Sequence, residues 1–124
     1  MKIIITNNSN MPLYEQIKEQ IKEAIFKGEL KEGQQLPSIR VFANELQVSV
    51  LTVRRVYSDL ENEGFVVSQA GLGTFVAEGN IEFFKDAKRR AVEKQMSELI
   101  KTAKSLQISM AELQTMMEIL YEEE

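Results

Sequence analysis

Arg54 and Arg55 stand close behind Ser49 and Thr52 in the run SVLTVRRVYSDLENEG. An arginine guanidinium reaches guanine O6 and N7 through two hydrogen bonds, and each good pair discriminates bases by about 1–3 kcal/mol. The hydroxyls of Ser49 and Thr52, with the free N–H groups of a helix's first turn, suit backbone phosphate, while Leu51 can press on a thymine methyl. The chain has no Cys and no His. That inventory excludes disulfides, thiolate or imidazole metal sites, Cys nucleophiles and Ser-His-Asp triads, so no cofactor or metal is expected. Carboxylate pairs such as Glu61 and Glu63 remain for an enzyme, but they sit on a solvated helix end with no apolar pocket suggested, and an enzyme is not expected.

Such side chains read a duplex only from a helix that turns them outward. Val53, Val56, Tyr57 and Leu60 recur at i, i+3, i+4 and i+7 and define one buried face. At 100° per residue, Leu51, Arg55, Ser58 and Asn62 fall nearly opposite, with Thr52 and Arg54 on the flanks. A shorter helix precedes it, capped by Ser38 and facing inward with Ile39, Phe42, Ala43 and Leu46. It ends at a tight turn over Gln47 and Val48, after which Ser49 caps the outward-facing helix. Before both, Ser9 or Asn10 is placed to cap a first helix, with Pro12 in its first turn and Leu13, Ile17, Ile21, Ala24 and Ile25 along its apolar stripe up to Gly28. The stretch GELKEGQQLP reads as a loop whose Leu30 and Leu36 tuck under the core. Gly64 ends the third helix, and FVVS and TFVA flank QAGLG as a hairpin. Gly71 and Gly73 let that turn approach a phosphate or enter a minor groove without side-chain clash.

The order describes a helix-turn-helix with a β-wing, followed by a helical tail. Its expected fold class is α+β, mainly α. Residues 1–78 form the winged domain and 79–124 a two-helix dimerisation segment. In the tail, Phe84, Ala87, Ala91, Val92, Leu99, Ile100, Ala103 and Leu106 mark a long helix, and Ser109-Met110-Ala111-Glu112 opens a second. Leu113, Met116, Met117 and Leu120 give that second helix its stripe. A small winged domain cannot cover both stripes, so an antiparallel helix pair is expected to meet a second copy, with Phe84, Ala91, Leu99, Ala103, Leu113, Met116, Met117 and Leu120 on the seam. Gly79 is expected to be the flexible junction through which an effector, of unknown identity, would change the spacing of two heads.

The net charge of −4 argues against nucleic acid at first sight. Its distribution matters more. Up to Val76 there are eight basic and nine acidic residues, against seven and ten afterwards, so most of the negative charge lies in the tail. Arg40, Arg54 and Arg55 have few acidic neighbours in sequence, whereas Glu15, Glu19, Glu23, Glu61 and Glu63 fall off the contact surface. Local field, not the sum, meets phosphate. The basic cluster Lys85, Lys88, Arg89 and Arg90 is interleaved with acids and reads as an exposed helix face rather than an RNA or membrane site. The opening MKIIITNNSN lacks a signal peptide's apolar stretch and no window approaches a membrane span, so a cytoplasmic protein is expected.

Residues 12–76 resemble the winged-helix domain of the GntR family of bacterial transcriptional regulators. The resemblance is carried by PLYEQI, by GxLxxGxxLPSxR, by VSxxTVxxxYxxLxxxG and by the wing GxGTFV. It implies a DNA-binding regulator in which Ser38 and Arg40 of LPSIR meet phosphate or base, Ser49, Thr52 and Arg54 sit at the recognition-helix contacts, and Gly71 marks the wing tip. The family frequently carries Arg where this chain has Val50, which leaves Leu51 and Arg55 to read a different operator. The segment after Val76 is too short for the large effector-binding or aminotransferase-like domains of many members. It resembles instead the short YtrA-type subfamily, which implies a homodimeric repressor of a pseudo-palindromic operator beside transporter genes. The competing expectation is a winged helix that docks proteins and binds no DNA.

Overall fold

The computed structural model describes residues 1–7 and 9–124. The element order is α1 (Leu13–Phe26), α2 (Ile39–Leu46), α3 (Val50–Asn62), β1 (Val66–Gln69), β2 (Gly73–Val76), α4 (Ile81–Ser105) and α5 (Met110–Glu123). The chain falls into two compact units, Met1–Lys85 and Asp86–Glu124, so the expected division after residue 78 comes earlier than the structural one.

In the first unit, the helical spacing of apolar residues becomes the core. Ile17, Ile21, Ala24 and Ile25 of α1, Phe42 and Ala43 of α2, and Val53, Val56, Tyr57 and Leu60 of α3 are buried, with Leu30 and Leu36 tucked beneath them. Each Ile, Leu or Val so buried contributes about 1.5–3 kcal/mol. Helices α2 and α3 each start on a serine cap. Ser38 Oγ accepts from Val41 N and Ser49 Oγ accepts from Thr52 N, at 3.2 and 3.0 Å. Between them Gln47 takes the left-handed conformation (φ 57°), and Val48 N donates back to Ala43 O at 3.0 Å.

The start of α1 differs from expectation. Neither Ser9 nor Asn10 caps it: Pro12 occupies the cap position, and Ser9 Oγ accepts from Met11 N. The preceding arm is held instead by two side-chain amides one helical turn apart. Gln16 Oε1 accepts from Thr6 N and Gln16 Nε2 donates to Thr6 O, while Gln20 does the same with Ile4 N and O. A planar amide carries one acceptor and donors like a peptide group, so each glutamine stands in for a residue of a neighbouring strand.

Gly64 (φ 89°) turns the chain out of α3, and Phe65 N donates to Leu60 O at 2.9 Å. Strands β1 and β2 pair antiparallel from Val66↔Val76 to Gln69↔Gly73. Two strands alone are marginal. The loop before α2 adds a third pairing, Gln35↔Phe75, through Leu36 N to Thr74 O and Val76 N to Gln34 O, both 2.8 Å.

Phe84, expected on the dimer seam, belongs to the first unit. Its ring stacks on Phe65 at 4.2 Å between centroids, and Ile81 is buried beside it in the first turn of α4. Stacking covers more apolar area there than a surface position could. Beside it, Gly79 N donates to Glu32 Oε1, and Ile81 packs on the head two residues later.

Lys18 and Lys22 of α1 clamp Glu63 at the end of α3. Partial burial works against the Glu63 charge, but hydrogen bonds from Lys22 and Lys18 outweigh it and hold the carboxyl below its usual 4.5. The hydrogen bond to Glu63 in turn raises the Lys18 ammonium. A depressed carboxyl contributes stability above its unfolded pKa and loses it as pH falls through the folded one; the raised Lys18 contributes fully below 10.5. Glu63→Gln is therefore expected to cost about 0.5–1 kcal/mol at pH 7 in thermal melting, with the gap to the parent closing as pH falls below the ordinary carboxylate range. A gap that persists unchanged in acid would contradict this.

The second unit is built differently. α4 ends where Gln107 turns left-handed (φ 58°) and Ile108 N donates to Ala103 O at 2.9 Å; Ser109 Oγ then accepts from Glu112 N to start α5. This turn closes over Ala103, which is 2% exposed within its own chain and so is not on an open seam as expected. It is the only buried residue of the unit. Leu99, Leu113, Met116, Met117 and Leu120 line an apolar groove of about 290 Å³ between the two helices. Ala91, Val92, Met96 and Ile100 lie exposed along α4.

Candidate nucleic-acid interface

One groove of about 420 Å³ gathers residues from three elements of the first unit. Ser38 and Arg40 come from the start of α2, Val50 and Arg54 from α3, and Leu72, Gly73 and Thr74 from the wing. Arg40 and Arg54 are exposed, and among the described residues no carboxylate pairs with either. Their donors are free for an anionic ligand.

The wall under Arg40 is fixed by Tyr57. Its hydroxyl donates to Pro37 O at 2.8 Å, pinning the LPS turn against α3. Burial, followed by the nearby Glu45 charge, pushes the phenol far above its usual pKa, so it stays a neutral donor across the physiological range.

At the start of α3, Ser49 Oγ and Thr52 Oγ1 lie 2.8 Å apart. Leu51 beside them is 70% exposed. Val50, where the family frequently has Arg, is half-buried and packs on the core. Gly71 (φ 76°) has open space around it at the wing tip.

Arg55 does not line this groove. Periodicity puts it on the outward face, but its guanidinium stacks over the Tyr14 ring of α1, 3.5 Å from the centroid. A cation over an aromatic face at an exposed site gains about 0.5–1 kcal/mol, which favours the side chain lying against α1 rather than in the groove of Arg40 and Arg54. Glu15, Glu19, Glu23, Glu61 and Glu63 do not line this groove. Glu61 accepts from Ser68 N, and Glu19 and Glu63 are engaged by Lys22. Sequence reasoning missed Gln35 and Leu72. Leu72 had one signal, an apolar residue between two turn glycines; Gln35 had none, since its role rests on a pairing with the wing.

Among the described residues no cluster of His, Cys, Asp or Glu is arranged to hold a metal, and no helix is long and apolar enough to cross a membrane.

The family model "Bacterial regulatory proteins, gntR family" matches residues 13–76, which span α1 through β2. The HTH-type transcriptional repressor YtrA of Bacillus subtilis (strain 168) is 36% identical over 98 residues, covering 79% of this chain and 75% of that protein. Among solved structures, YtrA from Sulfolobus acidocaldarius, a GntR-family transcription factor, superposes with a TM-score of 0.59 at 42% identity over 73% of this chain and 97% of that one. The DNA-binding domain of AraR in complex with operator ORX1 gives 0.56 at 30% identity over 62% and 96%. These relatives are regulators and not enzymes. The match over α1, the α2–α3 turn and the wing, together with the YtrA likeness beyond them, makes this chain a member of the GntR family of bacterial regulatory proteins, similar to its YtrA-like branch.

Proposed function

We propose that the chain is a sequence-specific DNA-binding repressor that works in the cytoplasm as a homodimer on a pseudo-palindromic operator, with residues 1–85 reading DNA and 86–124 dimerising. The observation that carries the reading is the pair of unpaired guanidiniums, Arg40 and Arg54, on a groove whose opposite wall is the wing. Ser38, Ser49, Thr52 and Gly71 supply phosphate contacts around it, and Leu51 an apolar one. The dimer is supported by the second unit's lack of a core: Met116, Met117 and Leu120 are 45%, 45% and 56% exposed, and two helices with one buried alanine do not hold together alone. Ala91, Leu99 and Leu113 complete that surface. Control of transporter genes is part of the same proposal.

Selection of duplexes from a random pool tests the reading. The expected product is an inverted repeat whose half-site centres lie about 10–10.5 bp apart, or a multiple of that. No enrichment, or enrichment that survives Arg40→Ala with Arg54→Ala, would overturn it in favour of a protein-docking winged helix.

A further inference from the structure

We propose that two oppositely charged helix faces of the second unit couple neighbouring dimers, a basic stripe on α4 of one copy seating in an anionic groove on α5 of another. The proposal goes beyond the DNA-binding dimer argued above and rests on it. The charges are segregated by helix. α4 carries seven basic and four acidic residues, whereas α5 carries four acidic and no basic ones. Arg90, Lys94, Lys101 and Lys104 recur at i, i+4, i+11 and i+14, with Ser97 at i+7, so they share one line along the helix. At 100° per residue that line lies opposite Val92, Leu99 and Ala103, with Glu93 and Glu98 on its flanks. All four cations are exposed, and among the described residues none of them carries an ion pair.

The complementary surface is on α5. Gln114, Met117, Glu118, Tyr121 and Glu122 line a shallow groove of about 480 Å³. Glu118 and Glu122 stand one turn apart on the side opposite Leu113 and Leu120, and neither is paired with a cation among the described residues. Tyr121 beside them is 84% exposed. Two carboxylates and a phenol ring suit a guanidinium or an ammonium, since the carboxylates accept its N–H donors and the ring presents its negative face. Arg90 and Lys94, likewise one turn apart, offer two such cations at the same spacing of about 6 Å along the axis.

When the apolar stripes close the dimer seam, the α4 stripe stays on the outside, so its ligand comes from another assembly. Nucleic acid is the other anion a basic helix face could meet. The unit Asp86–Glu124 as a whole holds six basic and eight acidic residues, however, and its field disfavours phosphate at a distance. A neighbouring α5 supplies the opposite charge at matching pitch. Exposed ion pairs are individually weak, and two or three of them amount to about tenfold in affinity. Such a contact does little between dimers free in solution, but it acts between dimers held side by side on one duplex, where the effective concentration is about millimolar. The tail thereby makes binding to paired operators cooperative.

The probe is a duplex carrying two copies of the site most enriched from a random pool by the parent chain, with their centres a whole number of helical turns apart, compared with a duplex carrying one. The parent is expected to fill the second site about tenfold more tightly than the first in low salt, and that gain should shrink toward none as added salt screens the contact. Arg90→Glu with Lys94→Glu should abolish the gain, and so should Glu118→Lys with Glu122→Lys. Each variant should stay dimeric in sedimentation and bind the single site with an affinity close to the parent's. Mixing the two variants should restore the gain, because the reversed stripe of one then meets the reversed groove of the other. A mixture no more cooperative than either variant alone, or a parent without cooperativity at every phased spacing, would overturn the proposal. Loss of single-site affinity confined to the Arg90→Glu, Lys94→Glu chain would give the stripe to DNA phosphate, and a changed dimer mass in either variant would put the charges in the seam; both results also overturn it. A parent that enriches no duplex removes the DNA-binding reading and this proposal together, whereas a parent that binds one site and gains nothing at the second removes this one alone.

Discussion

Leu120→Asp is expected to turn the protein into a monomer and to weaken operator binding by about 10²–10⁴-fold without altering the reading head. A linked second half-site is bound at an effective concentration that adds this much avidity, and it is lost when the linkage is cut. Leu120 is 56% exposed in the single chain, so the substitution costs little before assembly. In a closed seam, an unpaired carboxylate carries a desolvation penalty of several kcal/mol. Sedimentation should show one mass at micromolar concentration where the parent shows twice that, and affinity for an isolated half-site should be unchanged. A dimer that survives Leu120→Asp together with Met117→Glu would place the seam elsewhere.

Arg54→Ala is the second large effect. A bidentate guanine contact provides about 1–3 kcal/mol of discrimination, and a two-fold assembly makes it twice, so about 2–6 kcal/mol of operator specificity should disappear. Competition against mismatched duplexes measures it directly. Arg40→Ala should act differently if Arg40 meets phosphate: affinity falls alike for all sequences, and the slope of log K against log salt shrinks by about one per head. Arg55→Ala is the internal control. Its guanidinium rests on Tyr14, so it should cost about 0.5–1 kcal/mol of stability and leave operator discrimination close to the parent's. Loss of discrimination in Arg55→Ala comparable to that in Arg54→Ala would reverse the assignment.

The contrast between these two neighbours shows where sequence patterning stops. Rotation by 100° per residue places Arg54 on a flank and Arg55 opposite the core, and both statements are right about α3 as an isolated cylinder. Which side of the cylinder is open depends on what packs against it. α1 lies along α3 and brings Tyr14 under Arg55, while the wing and the LPS turn leave Arg54 facing a groove. Phe84 repeats the lesson: it fits the apolar stripe of a long helix, but the first turn of that helix docks on Phe65. Ala103 fits the same stripe and is covered by its own chain's turn at Gln107.

The residues alone determined the helices, their caps at Ser38, Ser49 and Ser109, the buried faces, the turn at Gln47, the hairpin and the family. Each of those is decided within one or two turns of chain, where spacing, a capping hydroxyl or a glycine acts on its immediate neighbours. Only the tertiary structure decided that Arg40 and Arg54 share a groove with Leu72, that Gln35 holds the wing, and that Glu63 answers to Lys18 and Lys22. Those contacts join segments many residues apart, and local periodicity carries no information about which distant surface will close on a given face.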